Sequence, residues 1–265
     1  MLGTVQRAGD VLELFSVRPE WGATSVANEL SIAKSQAHEV LVSLSTIGLL
    51  RRTRSARYRL GWRAVTLGSD VIRGGEFTED AARIMPELTN GFREASVHLA
   101  AWDRGRAVCI ARRAGSEAAR AVHGVLEATG HWVEPHCTSV GKVLLAARST
   151  EDVDALLENG PLESFTPYTI VQPELLRAEL EAVRERGFAL DHGELLREIR
   201  CVAAPIESYD GEVIAALGLC VSADRWAQRN RDYTRAVIAA TQNITRRIRS
   251  RAQACNSDEP VCVAA

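Results

Sequence analysis

The side chains with the clearest chemical purpose lie between Lys34 and Arg59. Ser35, Gln36, His38, Glu39 and Ser43 are of the kinds that address base edges. An amide can pair bidentately with adenine, and a carboxylate can accept from cytosine N4. Their spacing puts them on one face of a helix, shared with Val42 and opened by Lys34. Directly after them come Arg51, Arg52, Arg54, Arg57 and Arg59, a density of guanidinium groups suited to phosphate oxygens. The plainer reading of the same residues is an amphipathic helix pair with a solvated charge run.

Other clusters fit other chemistries less well. Gly141-Lys142 would close a phosphate loop only with glycine at 136 and a hydroxyl at 143, where the chain has His136 and Val143. His131, His136 and Cys137, with Cys201 far along the chain, are zinc-ligand types without the spacing of a zinc motif. Asp191 and Glu194 are neighbouring carboxylates with no nucleophile signature beside them, and a loop capping its own amides accounts for both. No catalytic residue, metal or cofactor is expected.

The polar face at 34–43 needs a scaffold, and the flanking sequence supplies one. Thr24 or Ser25 can cap a helix over 26–30, which is too short to be stable alone. Ser31-Ile32-Ala33 makes a turn. The next helix carries Ala37, Val40, Leu41 and Leu44 at the i, i+3, i+4, i+7 spacing of a buried stripe, and Gly48 offers the left-handed cap that ends it. A preceding helix over 4–17, with Val5, Ala8, Val11, Leu12 and Phe15 on one side, would cover the pair. The arginine-rich stretch reads as two strands around a polar tip at 53–56, a hairpin wing. The whole is a winged helix-turn-helix over 1–60, a geometry that presents its last helix to the major groove of double-stranded DNA.

A linker helix is expected over 61–75, ending at Gly74-Gly75. A second domain follows over 76–254. It opens with a capped helix from Thr78 whose Pro86 should kink or split it. Strands are expected over 95–102 and 106–112 about Asp103-Arg104-Gly105, and a third over 119–125. The segment 131–135 crosses to a helix over 138–148, and a short helix follows over 151–158. The helix at 175–186 is closed by Gly187. Strands over 201–208 and 212–221 flank Tyr209-Asp210-Gly211. A long helix closes the domain from 224 to about 251, and a polar tail over 255–265 is expected to be disordered. The fold class is α+β, with an antiparallel sheet and not a doubly wound one.

Composition agrees. At 265 residues, 46% hydrophobic and 25% charged, the chain can bury a core with ease. Residues 1–75 hold ten Lys/Arg against six acids, a net of +4, and the remainder carries −6. A basic amino-terminal part on an acidic remainder suits a DNA reader coupled to something that does not touch DNA. No apolar run is long enough to cross a bilayer and no signal pattern opens the chain, so a cytoplasmic protein without a membrane partner is expected. The six cysteines (Cys109, Cys137, Cys201, Cys220, Cys255, Cys262) show no paired zinc spacing and read as reduced thiols. Cys262-Val263-Ala264-Ala265 matches a prenylation box in pattern only, with no polybasic stretch beside it.

Several segments together carry a family resemblance. TVQRAGDVLELFS, ELSIAKSQAHEVLVSL, YRLG, CTSVGKVLLA, TPYTI, RERGFALDHGE, CVAAPI and GEVIAALGL occur in an order and spacing that resembles the IclR family of bacterial transcriptional regulators over about 4–249. The resemblance implies a winged helix-turn-helix joined by a helix to a GAF-like effector domain. It also implies a homodimer or dimer of dimers on operator DNA, and a small organic effector that alters DNA binding. Carried over by position, the effector pocket would involve Ser139, Val140, Asp191, Ile199, Cys201, Gly218 and Cys220. Three departures stand out. Glu39 replaces a frequent basic residue. The paired acids after Asp191 are reduced to Glu194, with Arg197 and Glu198 where a glycine is usual. Cys220 stands where serine is common. A small carboxylate is the favoured effector, and Trp102, Trp132 and Phe188 leave room for an aromatic acid. The alternative is a second domain that only oligomerises, with Trp102 and Trp132 as anchors, or that binds a metal.

Overall fold

Apolar periodicity builds each half of the chain separately. The computed structural model describes residues 3–74, 77–103, 105–122, 129–158 and 160–257, and it divides into two units, 1–74 and 75–265.

The first unit runs α1 (Gly3–Val17), α2 (Ala23–Glu29), α3 (Lys34–Thr46), β1 (Leu50–Arg52), β2 (Tyr58–Leu60) and α4 (Trp62–Gly74). Val11 and Phe15 of α1, Val26 and Ala27 of α2, and Ala37, Val40, Leu41 and Leu44 of α3 close on Trp21, Leu50 and Tyr58. Trp21 and Tyr58 exchange backbone hydrogen bonds of 3.1 and 2.7 Å, and the Trp21 Nε1–H donates to the Leu14 carbonyl at 2.7 Å, so one residue ties the wing to α1. Thr24 and Ser25 do not cap α2. The helix starts at Ala23 behind Gly22, without a side-chain cap, and both hydroxyls fall inside its first turn. Burial of Val26 and Ala27 against α3 supplies what a cap would have given. Gly48 ends α3 with φ 79°. A Cβ on Gly61 would stand 2.1 Å from the Gly48 carbonyl oxygen, so the two turns meet backbone to backbone. Not every apolar position of this unit is inside: Val5 is 65% exposed and, on α4, Trp62 and Val71 are 78% and 76% exposed.

The second unit contains α5 (Thr78–Gly91), β3 (Ser96–Asp103), β4 (Arg106–Ala114), α6 (Glu117–Val122), β5 (Trp132–Val133), α7 (Ser139–Ala146), α8 (Thr150–Glu158), α9 (Pro173–Arg186), β6 (Ala189–Asp191), β7 (Ile199–Glu207), β8 (Val213–Ser222) and α10 (Ala223–Ser257). The strands form one antiparallel sheet in the order β5-β4-β3-β8-β7-β6. Side-chain alternation along the strands sorts the core in two. Val97, Leu99, Val202, Ala204, Leu217 and Leu219 face α5 and α10, packing on Tyr233, Val237 and Ile244. Ala100, Cys109, Ala203 and Ala216 face α7 and α9, packing on Val140, Leu144, Leu176 and Leu180. Helices thus cover both faces of an antiparallel sheet, and the class is α+β.

Four local expectations are corrected. The segment expected as a strand from 119 is helical: α6 spans Glu117–Val122, and 123–125 lie outside the described residues. Pro86 does not split α5, which runs unbroken from Thr78 to Gly91. The carbonyl it deprives of an N–H belongs to Ala82, which is exposed to water, and the hydroxyl of Thr89 bonds the carbonyls of Met85 and Pro86 at 3.1 Å each. The short edge strands β5 and β6 have no counterpart in the periodicity. The closing helix continues to Ser257, with non-helical backbone at Arg229 (φ −140°), whose guanidinium lies over Phe92 and Tyr233. The expected tail and prenylation box at 258–265, the end of the linker at Gly75 and the turn residue Arg104 lie outside the described residues.

Candidate functional site

In the first unit, the stripe that buries Ala37, Val40, Leu41 and Leu44 turns the other face of α3 outward. Lys34, Ser35, Gln36, His38, Glu39, Val42 and Ser43 are all exposed. Among the described residues no side-chain hydrogen bond or ion pair engages Gln36, His38 or Glu39, so their polar groups are available. The helix begins behind Ala33 without a side-chain cap, leaving its first N–H groups open as well. In the wing, Arg51, Arg52, Arg54 and Arg57 are exposed. They are not equivalent. Arg57 donates to the Glu20 carbonyl at 3.2 Å and stands 3.9 Å from the Glu20 carboxylate, which also pairs with Arg59. Arg51, Arg52 and Arg54 have no acid partner among the described residues. Arg63 of α4 donates to the Ile47 carbonyl at 2.8 Å, placing a cation at the end of α3 where the helix dipole favours one.

In the second unit, the start of α7 crosses the sheet where β3, β8, β7 and β6 end, and a small cavity of about 20 Å³ lies beneath it. Thr138, Ser139 and Val140 form one wall, Asp191 closes β6, Leu195, Leu196 and Ile199 come from the following loop and strand, and Cys201, Cys220 and His98 form the floor. Six of the seven residues implied by the resemblance are therefore together. Gly218 is not in the lining. A Cβ there would meet Val140 Cγ1 at 2.7 Å, so its part is to let α7 approach the sheet. His98, Thr138, Leu195 and Leu196 are additions. His98 hydrogen-bonds the Ser96 hydroxyl at 2.8 Å, and its signal was a histidine set between the apolar residues Val97 and Leu99 of a buried strand.

Electrostatics around the cavity are set by burial. Asp191 Oδ1 accepts from the Gly193 and Glu194 amides at 2.9 and 2.7 Å. Burial nevertheless pushes its carboxyl up to about 7, with the charge of Glu194 adding to the rise and those hydrogen bonds opposing it. Lys142, one residue of the pair dismissed as a phosphate loop, is 1% exposed and forms a buried ion pair: its Nζ donates to Glu194 Oε1 at 2.7 Å and to Glu179 Oε1 at 3.3 Å. The TPYTI segment holds the same loop from outside. Thr166 Oγ1 donates to the Gly193 carbonyl at 2.7 Å and Thr169 Oγ1 to the Glu194 carbonyl at 2.6 Å. Thr138 caps α7, accepting from the Gly141 amide at 3.1 Å.

The cysteines and histidines fall out differently from the expectation of uniformly reduced thiols. Cys201 and Cys220 stand opposite one another on β7 and β8, Cα atoms 4.2 Å apart, and their sulfurs are bonded. Cys109 and Cys137 are buried thiols. His136 is buried and hydrogen-bonds the Glu163 carbonyl at 2.9 Å. Among the described residues no three His, Cys, Asp or Glu side chains gather as a metal site would require. Trp132 is exposed under the guanidinium of Arg106, and Trp102 is half-buried near Arg148.

Comparison with known proteins decides the family. The IclR helix-turn-helix domain matches residues 4–54, and the C-terminal domain of the bacterial transcriptional regulator IclR matches residues 70–246. The chain belongs to the IclR family. The regulator XynR of Escherichia coli (strain K12) is 31% identical over 227 residues, covering 85% of this chain and 88% of its own. Two solved IclR structures superpose closely. One, from a Silicibacter species, gives a TM-score of 0.81 at 25% identity, covering 93% of this chain and 96% of that one. The other, an IclR homologue from Microbacterium hydrocarbonoxydans complexed with 4-hydroxybenzoate, gives 0.80 at 25% identity, covering 93% and 99%. As an IclR-family protein the chain is a DNA-binding transcriptional regulator and not an enzyme. No helix among the described residues is long and apolar enough to cross a membrane.

Proposed function

We propose that the chain binds operator DNA as a homodimer or dimer of dimers, with α3 in the major groove and the wing on the backbone. In this reading a small carboxylate or aromatic acid binds at the α7 cavity and alters that binding. The observation that carries the DNA half is the exposed, unengaged polar face of α3 beside Arg51, Arg52 and Arg54. Gln36, His38 and Glu39, flanked by Ser35 and Ser43, would read bases, while Lys34 and the wing arginines would set register on the duplex. Pairing of chains is supported by the exposed apolar positions Val5, Trp62 and Val71, which a second copy would cover, and by the two half-sites that helix-turn-helix dimers span.

The effector half is supported by the convergence of six separate positions on one cavity with a helix start at its wall. The first N–H groups of α7 and the Ser139 hydroxyl are donors for a carboxylate, and Asp191 held protonated near neutrality is another. A solved relative carries 4-hydroxybenzoate, an acid of this kind. At about 20 Å³ the cavity holds no more than a water, whereas ligand sites reach ~300 Å³ and more, so entry requires the 191–199 loop to move. A ligand that fits only the opened form shifts the equilibrium by its difference in affinity for the two.

Selection on random duplexes would supply the operator, and anisotropy with and without 4-hydroxybenzoate and related acids would read the response. Operator affinity should change by about 5–150-fold with the right acid. Asp191→Ala combined with Ser139→Leu should keep operator binding and abolish the response. A folded, dimeric double variant that no longer binds the operator would make these residues structural, and a normal response would place the sensor elsewhere.

A further inference from the structure

Cys201 and Cys220 are directly opposite on adjacent antiparallel strands, at the close kind of cross-strand position, with Cα atoms 4.2 Å apart. A bond between them needs no rearrangement of the backbone. Both cysteines line the α7 cavity, which has only about 20 Å³ in the structure that contains the bond. A regulator that acts on DNA works in the reducing interior of a cell, where a disulfide persists only as a transient or sensing state. Cys220 is partly exposed and can meet a small oxidant, whereas Cys109 and Cys137 are buried. Burial and the carboxylates of Asp191, Glu134 and Glu194 push the Cys137 thiol far up, which keeps it inert.

We propose that Cys201 and Cys220 are a reversible thiol–disulfide site that reacts with hydroperoxides, and that its oxidised state is the closed state of the cavity. The sulfur of Cys220 attacks the terminal peroxide oxygen. The O–O bond breaks, the sulfur gains OH, and the other oxygen leaves with the thiol proton as an alcohol, or as water from hydrogen peroxide. The sulfur of Cys201 then attacks that of Cys220. The S–O bond breaks, the S–S bond forms, and hydroxide leaves with the Cys201 proton as water. Two thiols have lost two electrons to one peroxide, and an external thiol reverses the step by exchange.

Reduction acts on the cavity through size. Bonded sulfurs sit about 2.05 Å apart, whereas non-bonded heavy atoms part to about 3.5–4 Å, so at least one side chain must turn. The turn changes the floor of the cavity that Leu195, Leu196 and Ile199 also line, and would loosen the loop that Asp191 organises. Oxidation would therefore compete with effector entry. That consequence rests on the effector reading; the thiol chemistry does not.

The test uses the full chain, reduced with dithiothreitol, desalted, and treated with a few equivalents of hydrogen peroxide. Non-reducing peptide mapping should return a species joining Cys201 to Cys220, lighter by two hydrogens and lost on renewed reduction. Hydrogen exchange on a peptide covering Gly193 and Glu194 should be at least about tenfold faster in the reduced chain. Cys220→Ser should give no linked species and the same exchange with or without peroxide. No link in wild type, or a link to another cysteine, overturns the site. A link with equal exchange in both states overturns the closed-state assignment. Failure of every carboxylate to bind would count against the effector reading and leave both measurements standing.

Discussion

Replacing Lys142 by methionine tests the ion pair beneath the cavity. The methionine keeps the length of the stem and removes the charge. Lys142 and Glu194 are 1% and 4% exposed, and Nζ stands 2.7 Å from Glu194 Oε1. Among the described residues Glu194 has no other side-chain cation, and its second oxygen is already buried without a hydrogen bond. Glu179 is different, because Arg186 also holds it at 2.8 Å. Removing Lys142 therefore strands one carboxylate and not two. Breaking a buried pair by deleting one partner costs about 3–5 kcal/mol. In a unit of this size that lowers the melting temperature by roughly 6–20 °C. Adding Glu194→Gln removes the stranded charge, and the double variant should recover to within about 1–2 kcal/mol of wild type. Calorimetry that resolves the transition of the second unit reads both values. A single variant costing under about 1 kcal/mol, or a double variant no better than the single, would refute the account of Lys142 as the counter-charge of Glu194.

Three further outcomes are expected. Arg51→Ala, Arg52→Ala and Arg54→Ala should each weaken binding to all duplexes alike and lower the salt slope by about one, whereas Arg57→Ala, already engaged by Glu20, should lower it less; affinity titrations against salt decide, and four equal slopes would remove the distinction. Gly61→Ala should cost the first unit about 1–3 kcal/mol or more, because its Cβ meets the Gly48 carbonyl at 2.1 Å. Gly9→Ala, in open space on α1, should gain about 0.5–1 kcal/mol, and thermal melts compare the two. Asp191 retains its proton up to about pH 7 in the folded chain and loses it near 3.9 when unfolded. The native state binds the extra proton in that window, so this group makes stability fall as pH rises from about 4 to 7, by up to about 4 kcal/mol. Asp191→Asn should flatten that slope in denaturation curves, and an unchanged slope would mean that the carboxylate ionises normally.

What was legible in the sequence follows from how far each residue's partners lie along the chain. The face of α3 could be read because the stripe that orients it, Ala37 to Leu44, lies on the same helix. The closing glycines Gly48 and Gly187 could be read for the same reason, with φ of 79° and 76°. The strand expected from 119 went wrong because alternation over a few residues does not distinguish a strand from an alanine-rich helix. The partners of Lys142 were out of reach for a deeper reason. By type a lysine belongs at the surface, and only carboxylates 37 and 52 residues away make its burial affordable. Gly218 looked like part of the pocket, yet its missing side chain serves Val140 on another element. Cys201 and Cys220, 19 residues apart, showed no spacing that marks a bond, and only the β7–β8 register sets them face to face. Asp191 combines both cases. Its short-range part, accepting from the amides of Gly193 and Glu194, is the loop-capping role that nearby residues suggest. Its raised carboxyl comes from long-range burial under α7, and that protonation is what would let it meet an anionic ligand as a donor.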